Sequence, residues 1–245
     1  EGVANIAMGK TATTHTQNSI AIGNGAESGG KGANDAFDGV SGIAIGPEAK
    51  GLGTSAIAIG QNATVKDGHD SIAMGVYSQT TNNKAISIGA YNEASGLQST
   101  VIGSNFNQGA NAGVSIASGA RAQVYGVETK VSGNNSVSIG DTNTVASNRT
   151  YALGNNINVK AGADDSLAFG TRAAVGAENT VAIGANANAA QANSVALGAG
   201  SATSAPHTGA YTLNGSYTAA GLPKAANGTV SVGSAGKERQ IQNVA

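Results

Sequence analysis

The chain has no cysteine and no tryptophan, three prolines among 245 residues, and few aromatic or charged side chains, at 4% and 11%. Without cysteine there is no disulfide framework, no thiol nucleophile and no thiolate metal site. A net charge of −1 with no basic stretch argues against nucleic acid or an anionic membrane surface as the partner. No run of about 18 apolar residues occurs, so no segment is suited to cross a bilayer as a helix. The low charge separates the chain from charge-driven disordered sequences, and the scarcity of aromatics excludes an aromatic-rich core. No signal peptide opens the sequence. It starts inside a repeat, at Asn5-Ile6-Ala7-Met8-Gly9, and reads as a piece excised from something longer.

What the chain has in quantity is glycine, 37 residues, without the every-third spacing of collagen. Thirteen of them close copies of one phrase, small–aliphatic–small–aliphatic–Gly, as in Ser19-Ile20-Ala21-Ile22-Gly23, Ala56-Ile57-Ala58-Ile59-Gly60 and Ser194-Val195-Ala196-Leu197-Gly198. A fourteenth copy, Gly113-Val114-Ser115-Ile116-Ala117, ends in alanine. Successive copies end 14, 23, 14, 15, 14, 14, 14, 23, 14, 16, 14, 14 and 35 residues apart. A dominant period of 14 predicts an all-β solenoid of stacked coils, not a globular domain built around a pocket.

Alternation of β-branched residues at positions two and four of the phrase predicts a strand whose bulky side chains fill the inside of the coil. Position three then faces outward, and it is alanine or serine in thirteen of fourteen copies. So restricted a face predicts close packing against another copy of the chain. The expected interface is Ala7, Ala21, Ala44, Ala58, Ala73, Ser87, Val101, Ser115, Ser138, Ala152, Ala168, Ala182 and Ala196. A weaker second strand follows each glycine, with inward pairs such as Ala63/Val65, Asn143/Val145, Ile157/Val159, Ala173/Val175 and Ala187/Ala189. Asn, Gly and Ser, as in Asn134-Asn135-Ser136, close the coil in turns that tolerate left-handed backbone.

The two 23-residue intervals each carry nine extra residues, expected to leave the solenoid as loops. The first holds Gly29 to Asp38; the second is placed between Arg121 and Asn134. The final interval of 35 residues, with Pro206, His207, Tyr211, Tyr217 and Pro223, differs from the rest. The repeats are therefore assigned to residues 1–200 and a separate module to 201–245.

Two features together resemble a known family. The phrase Asn193-Ser194-Val195-Ala196-Leu197-Gly198, with Asn135 to Gly140 and Asn18 to Gly23, is similar to the repeat of YadA-like heads in trimeric autotransporter adhesins. Gly228-Thr229-Val230-Ser231-Val232-Gly233 followed by Lys237-Glu238-Arg239-Gln240-Ile241-Gln242-Asn243-Val244-Ala245 resembles the neck of the same family. The resemblance implies a left-handed parallel β-roll and a homotrimer about a common axis. It also implies a neck, carried by Lys237, Glu238, Arg239, Gln240, Ile241, Asn243 and Val244, that leads to a coiled-coil stalk and a barrel anchor in a Gram-negative outer membrane. Attachment to collagen or another matrix protein, to host cells or to abiotic surfaces follows from the same resemblance, as does cell-to-cell aggregation.

No catalytic constellation, metal site or cofactor motif emerges from the residues. His15, His69 and His207 lie far apart in sequence, and Asp67, His69 and Asp70 read as a turn, as does Asp164-Asp165. The Gly-Gly-x-Gly-x-Asp calcium repeat is absent, and Gly198-Ala199-Gly200 lacks the Lys-Ser/Thr of a phosphate loop. A polysaccharide-cleaving solenoid would need paired carboxylates roughly 5–9 Å apart, and Glu48 and Glu93 stand alone. An ice-binding solenoid would need a threonine array, and Thr80-Thr81 is nearly isolated. The expectation is a non-enzymatic adhesion module, or a spacer that displays one. Tyr77 and Tyr91, two residues past a glycine, are expected on the surface, and Phe106 inside.

Overall fold

The computed structural model describes residues 4–29, 41–104, 114–209, 212–213, 217–218 and 224–244. Among them the secondary structure is almost entirely short parallel strand. The exceptions are one antiparallel pair, Thr212–Leu213 with Tyr217–Thr218, one isolated antiparallel bridge between Ser234 and Lys237, and one 3-10 turn, Ala225–Asn227. The chain divides into two compact units, Glu1–Thr142 and Asn143–Ala245.

In the first unit the phrase copies line up as one sheet, from Ile6–Met8 through Ile57–Ile59 and Ile72–Met74 to Val137–Ile139. Equivalent residues pair coil to coil, as in Ile57↔Ile72, Ala58↔Ala73 and Ile59↔Met74. The second strands form another parallel sheet, from Thr13–Thr14 to Lys130–Val131. The second unit repeats the arrangement. Tyr151–Leu153, Leu167–Phe169, Val181–Ile183, Val195–Leu197 and Val230–Ser231 share one sheet, while Thr144–Val145 pairs with Asn158–Val159 and Ala174–Val175 with Asn188–Ala189. The all-β parallel solenoid with coils of about 14 residues, expected from the period, is the observed architecture. Beyond residue 200 the phrase copy at Val230–Ser231 rejoins the sheet beside Val195–Leu197.

Tight turns set the width of the coil. Residues in the left-handed region recur every seven positions: Glu48, Ser55 and Asn62, then Tyr77, Lys84, Tyr91 and Gln98, at φ between 54° and 58°. In the second unit Arg172, Asn179, Asn186 and Asn193 do the same. The turns thus recruit Tyr, Lys, Arg and Glu as well as the Asn and Ser that sequence favours. Inter-coil hydrogen bonds hold them there: the Tyr77 amide donates to the Gln61 carbonyl and the Tyr91 amide to the Val76 carbonyl, each at 2.9 Å. The glycine that ends each phrase has a different task. Gly75 sits at φ +131°, and a Cβ there would lie 2.4 Å from the Gly89 carbonyl oxygen of the next coil.

These turns bring the two sheets so close that the inside and outside of the phrase are the reverse of the expectation. Position three points inward: Ala21, Ala44, Ala58, Ala73, Ser87, Val101, Ser138, Ala152, Ala168, Ala182 and Ala196 are fully buried within the chain's own coils. Ala7, in the first described coil, is exposed. The buried side chains meet the small inward residues of the second strand, where Ala63/Val65, Asn143/Val145, Ile157/Val159, Ala173/Val175 and Ala187/Ala189 are buried as predicted. A space bounded by such turns holds alanine, serine and valine; isoleucines on both walls would overfill it. Positions two and four therefore point out. The small residues cannot form a face toward another chain, because their own coil already covers them.

The register of one copy also differs. Ser115–Ala117 lies in the second sheet, paired with Asn92–Ala94 and Lys130–Val131. The phrase position on that coil is filled instead by Gln123–Tyr125, between Thr100–Ile102 and Val137–Ile139. Ser115 is buried, but as a second-sheet residue. The extra residues of the second long interval consequently fall between Ile102 and Ser115, and the segment from Arg121 to Asn134 is ordinary coil. The first insertion leaves after Glu27–Ser28 and returns before Ile43–Ile45. Most of its residues, and Phe106 in the second, lie outside the described residues.

Candidate functional site

The inverted phrase gives each unit two unlike outer faces. On the first sheet, positions two and four form columns of large apolar side chains. In the first unit Ile57, Ile59 and Ile72 are half-buried, while Met74, Ile102 and Ile139 are 39–45% exposed. In the second unit Tyr151, Phe169 and Leu197 are about half exposed. Parallel in-register pairing stacks equivalent residues into these columns, and in the first unit the paired Thr100 and Gln123 interrupt the column at position two. A solvated strand face ordinarily carries polar residues, so an apolar column of this kind marks a surface for association.

The second sheet presents the opposite chemistry. Its outward residues in the first unit include Thr13, Glu27, Lys50, Thr64, Gln79, Glu93 and Lys130. Lys50 and Glu27, on paired strands, approach to 3.9 Å. In the second unit the equivalent residues are Thr144, Asn158, Ala174 and Asn188. Ordinary β-surface composition on this side means that water is its expected neighbour.

Polar groups inside the coil are bonded from one coil to the next. Ser71 Oγ donates to the Asn82 carbonyl at 2.9 Å and accepts from the Ala85 amide at 3.1 Å. Asn143 Nδ2 donates to the Gly154 carbonyl at 2.7 Å, and its Oδ1 accepts from the Ile157 amide at 2.8 Å. Such bonds let a thin core carry serine and asparagine, while Ser28 Oγ, Thr80 Oγ1, Asn92 Oδ1 and Ser99 Oγ are buried without a hydrogen-bond partner.

At the turns, side chains reach along the stack. Arg121 Nε donates to Asn135 Oδ1, and Arg172 Nε to Asn186 Oδ1 at 2.9 Å. Arg149 makes the strongest such link, bidentate to Asp165 at 2.6 and 2.7 Å, with Asp164 Oδ2 at 3.5 Å. The hydrogen bond from Arg149 holds the Asp165 carboxyl below the usual carboxylate range. Hydrogen bonds from the Asn148 side chain and backbone amide do the same for Asp164. The Asp164-Asp165 pair is thus a turn, as the sequence indicates. Asp67, His69 and Asp70 also occupy a turn, with Asp70 at φ 54° and the His69 amide donating to Asn83 Oδ1 at 3.0 Å. Among the described residues no group of three or more His, Cys, Asp and Glu is placed to hold a metal.

On the second face Tyr77 and Tyr91 stack, centroids 5.2 Å apart and rings 16° from parallel. Tyr77 is 41% exposed, in line with the expected surface position, and Tyr91 is half-buried. Nothing in the sequence announces the stack beyond the 14-residue separation of the two rings, which in-register coils turn into adjacency.

At the C-terminal end, Arg239 reaches back to the last coil. Its guanidinium donates to Ser201 Oγ at 2.9 Å, to the Val232 carbonyl at 2.7 Å and to the Ala199 carbonyl. Glu238 Oε1 accepts from the Gly236 amide at 2.8 Å; backbone hydrogen bonds from Glu238 itself and from Gly236 lower its pKa. Lys237, Gln240, Ile241, Asn243 and Val244 are exposed, Ile241 and Val244 by 65% and 72%. Among the described residues no helix is long and apolar enough to cross a membrane.

The model of the YadA head domain repeat matches the chain over residues 6–26, 38–63, 67–92, 83–105 and 176–201. No curated protein matches it.

Proposed function

The chain is a YadA-like head domain, and from that premise we propose that it works as a homotrimer whose three apolar faces close on one another while the polar sheets face outward. The YadA head is an adhesin domain and belongs to no enzyme family, so the setting is a cell-surface adhesin. The observation that carries the trimer reading is the column of half-exposed Ile, Val, Leu and Met at positions two and four. Burying such side chains contributes roughly 1.5–3 kcal/mol each when complete, and the thin core of each coil offers little apolar area of its own. Three copies placed face to face remove the columns from water and leave Thr64, Gln79, Glu93 and their equivalents on the outside. The small position-three residues are not part of this interface.

In the same reading Lys237 to Val244 form the neck, with the exposed Ile241 and Val244 packing against neighbouring chains and Arg239 anchoring each neck to its own last coil. The neck leads toward a stalk and an outer-membrane anchor. The outward sheets attach to a matrix protein such as collagen, to host cells or to an abiotic surface. Repetition on three chains makes many weak contacts act together. Solution mass by light scattering tests the assembly: a mass near three chains is expected, and a single-chain mass at all concentrations overturns it. Retention on immobilised matrix proteins tests the attachment. A trimer retained by none of them is a spacer.

A further inference from the structure

We propose that the shallow cavity beside the Tyr77–Tyr91 stack is a binding site for one ring of a neutral sugar. The cavity holds about 180 Å³ and is lined by Tyr77, Gln79, Tyr91, Asn92, Glu93 and Val114. Its construction follows from register. Asn92 pairs with Ser115 and Glu93 with Ile116, which puts Val114 on the next coil at the position that Tyr77 and Tyr91 fill on theirs. Two stacked rings are thus followed by an isopropyl group, and the step down in size opens the cavity. Alternation along the strand sets Gln79 and Glu93 on the same outward side as the rings, paired across adjacent coils.

The lining matches the two sides of a pyranose. An aromatic ring offers a flat surface of high polarisability to the ring's C–H face, and a carboxylate and a carboxamide accept from and donate to its vicinal hydroxyls. No Lys, Arg or His lines the cavity while Glu93 does, so sialylated, sulfated and phosphorylated ligands meet like charge. The rings are also held in place. Both tyrosines sit at turn residues, at φ 54° and 58°, with their backbone amides hydrogen-bonded to carbonyls of the preceding coil and their rings stacked on each other, so binding immobilises little. A small, open cavity of this kind binds weakly alone, and repetition on neighbouring heads supplies the strength.

The site rests on the reading of the second sheet as the solvent-facing side of the head, and the experiment separates the two. Saturation-transfer NMR is run on the full chain with methyl galactoside, methyl glucoside and methyl N-acetylglucosaminide, with sialyllactose and a proline-rich peptide as comparisons. Mass is measured on the same sample. At least one neutral pyranoside is expected to receive transfer to its ring protons. Tyr91→Asn is expected to weaken it at least tenfold with circular dichroism and mass unchanged, because asparagine already occupies the equivalent turn at Asn62, Asn156 and Asn186. Glu93→Gln is expected to weaken neutral binding less and to relax discrimination against sialyllactose. Absence of transfer to every neutral pyranoside overturns the proposal, as does an equal signal from Tyr91→Asn or a preference for sialyllactose or the peptide. No transfer in a trimeric sample removes the sugar site and keeps the assembly; transfer in a monomeric sample keeps the site and removes the assembly.

Discussion

Ile57–Ile59 and Thr64–Val65 are consecutive strands of one coil, separated by a single tight turn, and both are held by parallel ladders to the coils on either side. Toward the interior they look alike, with Ala58 facing Ala63 and Val65 in one buried cluster. Toward the outside they differ completely, Ile57 and Ile59 on one face and Thr64 on the other. Composition inside the coil is set by the space between sheets, while composition outside is set by what will cover each sheet. A residue's size therefore reports its side of the strand here more faithfully than its hydrophobicity does.

The sharpest way to test that contrast is a charge placed on either side of one strand. Ala58→Glu buries an uncompensated carboxylate in a space that holds a methyl group, and the expected loss is on the order of 3–5 kcal/mol in chemical denaturation. A loss below about 1 kcal/mol would mean that position three is not interior. Gly75→Ala, at the turn between the faces, combines unfavourable φ with a clash against the Gly89 carbonyl and is expected to cost roughly 2–3 kcal/mol, read as a lower midpoint. Ile57→Glu with Ile59→Glu keeps the coil intact by circular dichroism but lowers the light-scattering mass toward one chain; an undiminished mass would place the interface elsewhere.

Smaller effects come from the turn column and the polar face. The lowered pKa of Asp165 means that its ion pair with Arg149 adds stability above the unfolded carboxylate pKa of about 3.9, and loses it as pH falls through the lower folded value. Asp165→Asn is therefore expected to be slightly less stable than the parent at pH 7 and to converge with it in acid; a gap that persists in acid would assign the effect to packing. Thr64→Glu, the outward partner of the Ile57 test, is expected to change stability by less than about 0.5 kcal/mol and mass not at all. A drop in mass would show that the second sheet is also covered.

The solenoid and its coil length were legible because a period of 14 survives every substitution within the phrase. The strand positions and the inward pairs of the second strand were legible for the same reason. The facing of the phrase was misread because bulky alternation normally marks the inside of a sheet, and a coil this narrow reverses the rule. The signal that could have found it is the smallness of position three together with the mostly small inward pairs, among which Ile157 is the largest side chain named. Ser115 was misassigned because Gly113-Val114-Ser115-Ile116-Ala117 imitates the phrase, while the true copy, Ala122-Gln123-Val124-Tyr125-Gly126, carries glutamine and tyrosine where isoleucines are usual. Arg239 and the Tyr77–Tyr91 stack depend on which coils become neighbours, and only the registered structure supplies that.

The left-handed turn residues spaced by seven have a consequence for how such a gene can change length. An in-frame duplication or loss of one whole coil keeps every side chain on its own face, and the flanking coils meet a neighbour of the same shape. A change of half a coil keeps the turns in phase as well, since they recur every seven residues. It would nevertheless send the isoleucine columns to the water side and the threonines and glutamates to the covered side. The backbone would accept that shift and the surfaces would not, so heredity can lengthen or shorten the protein freely only in steps of two turns.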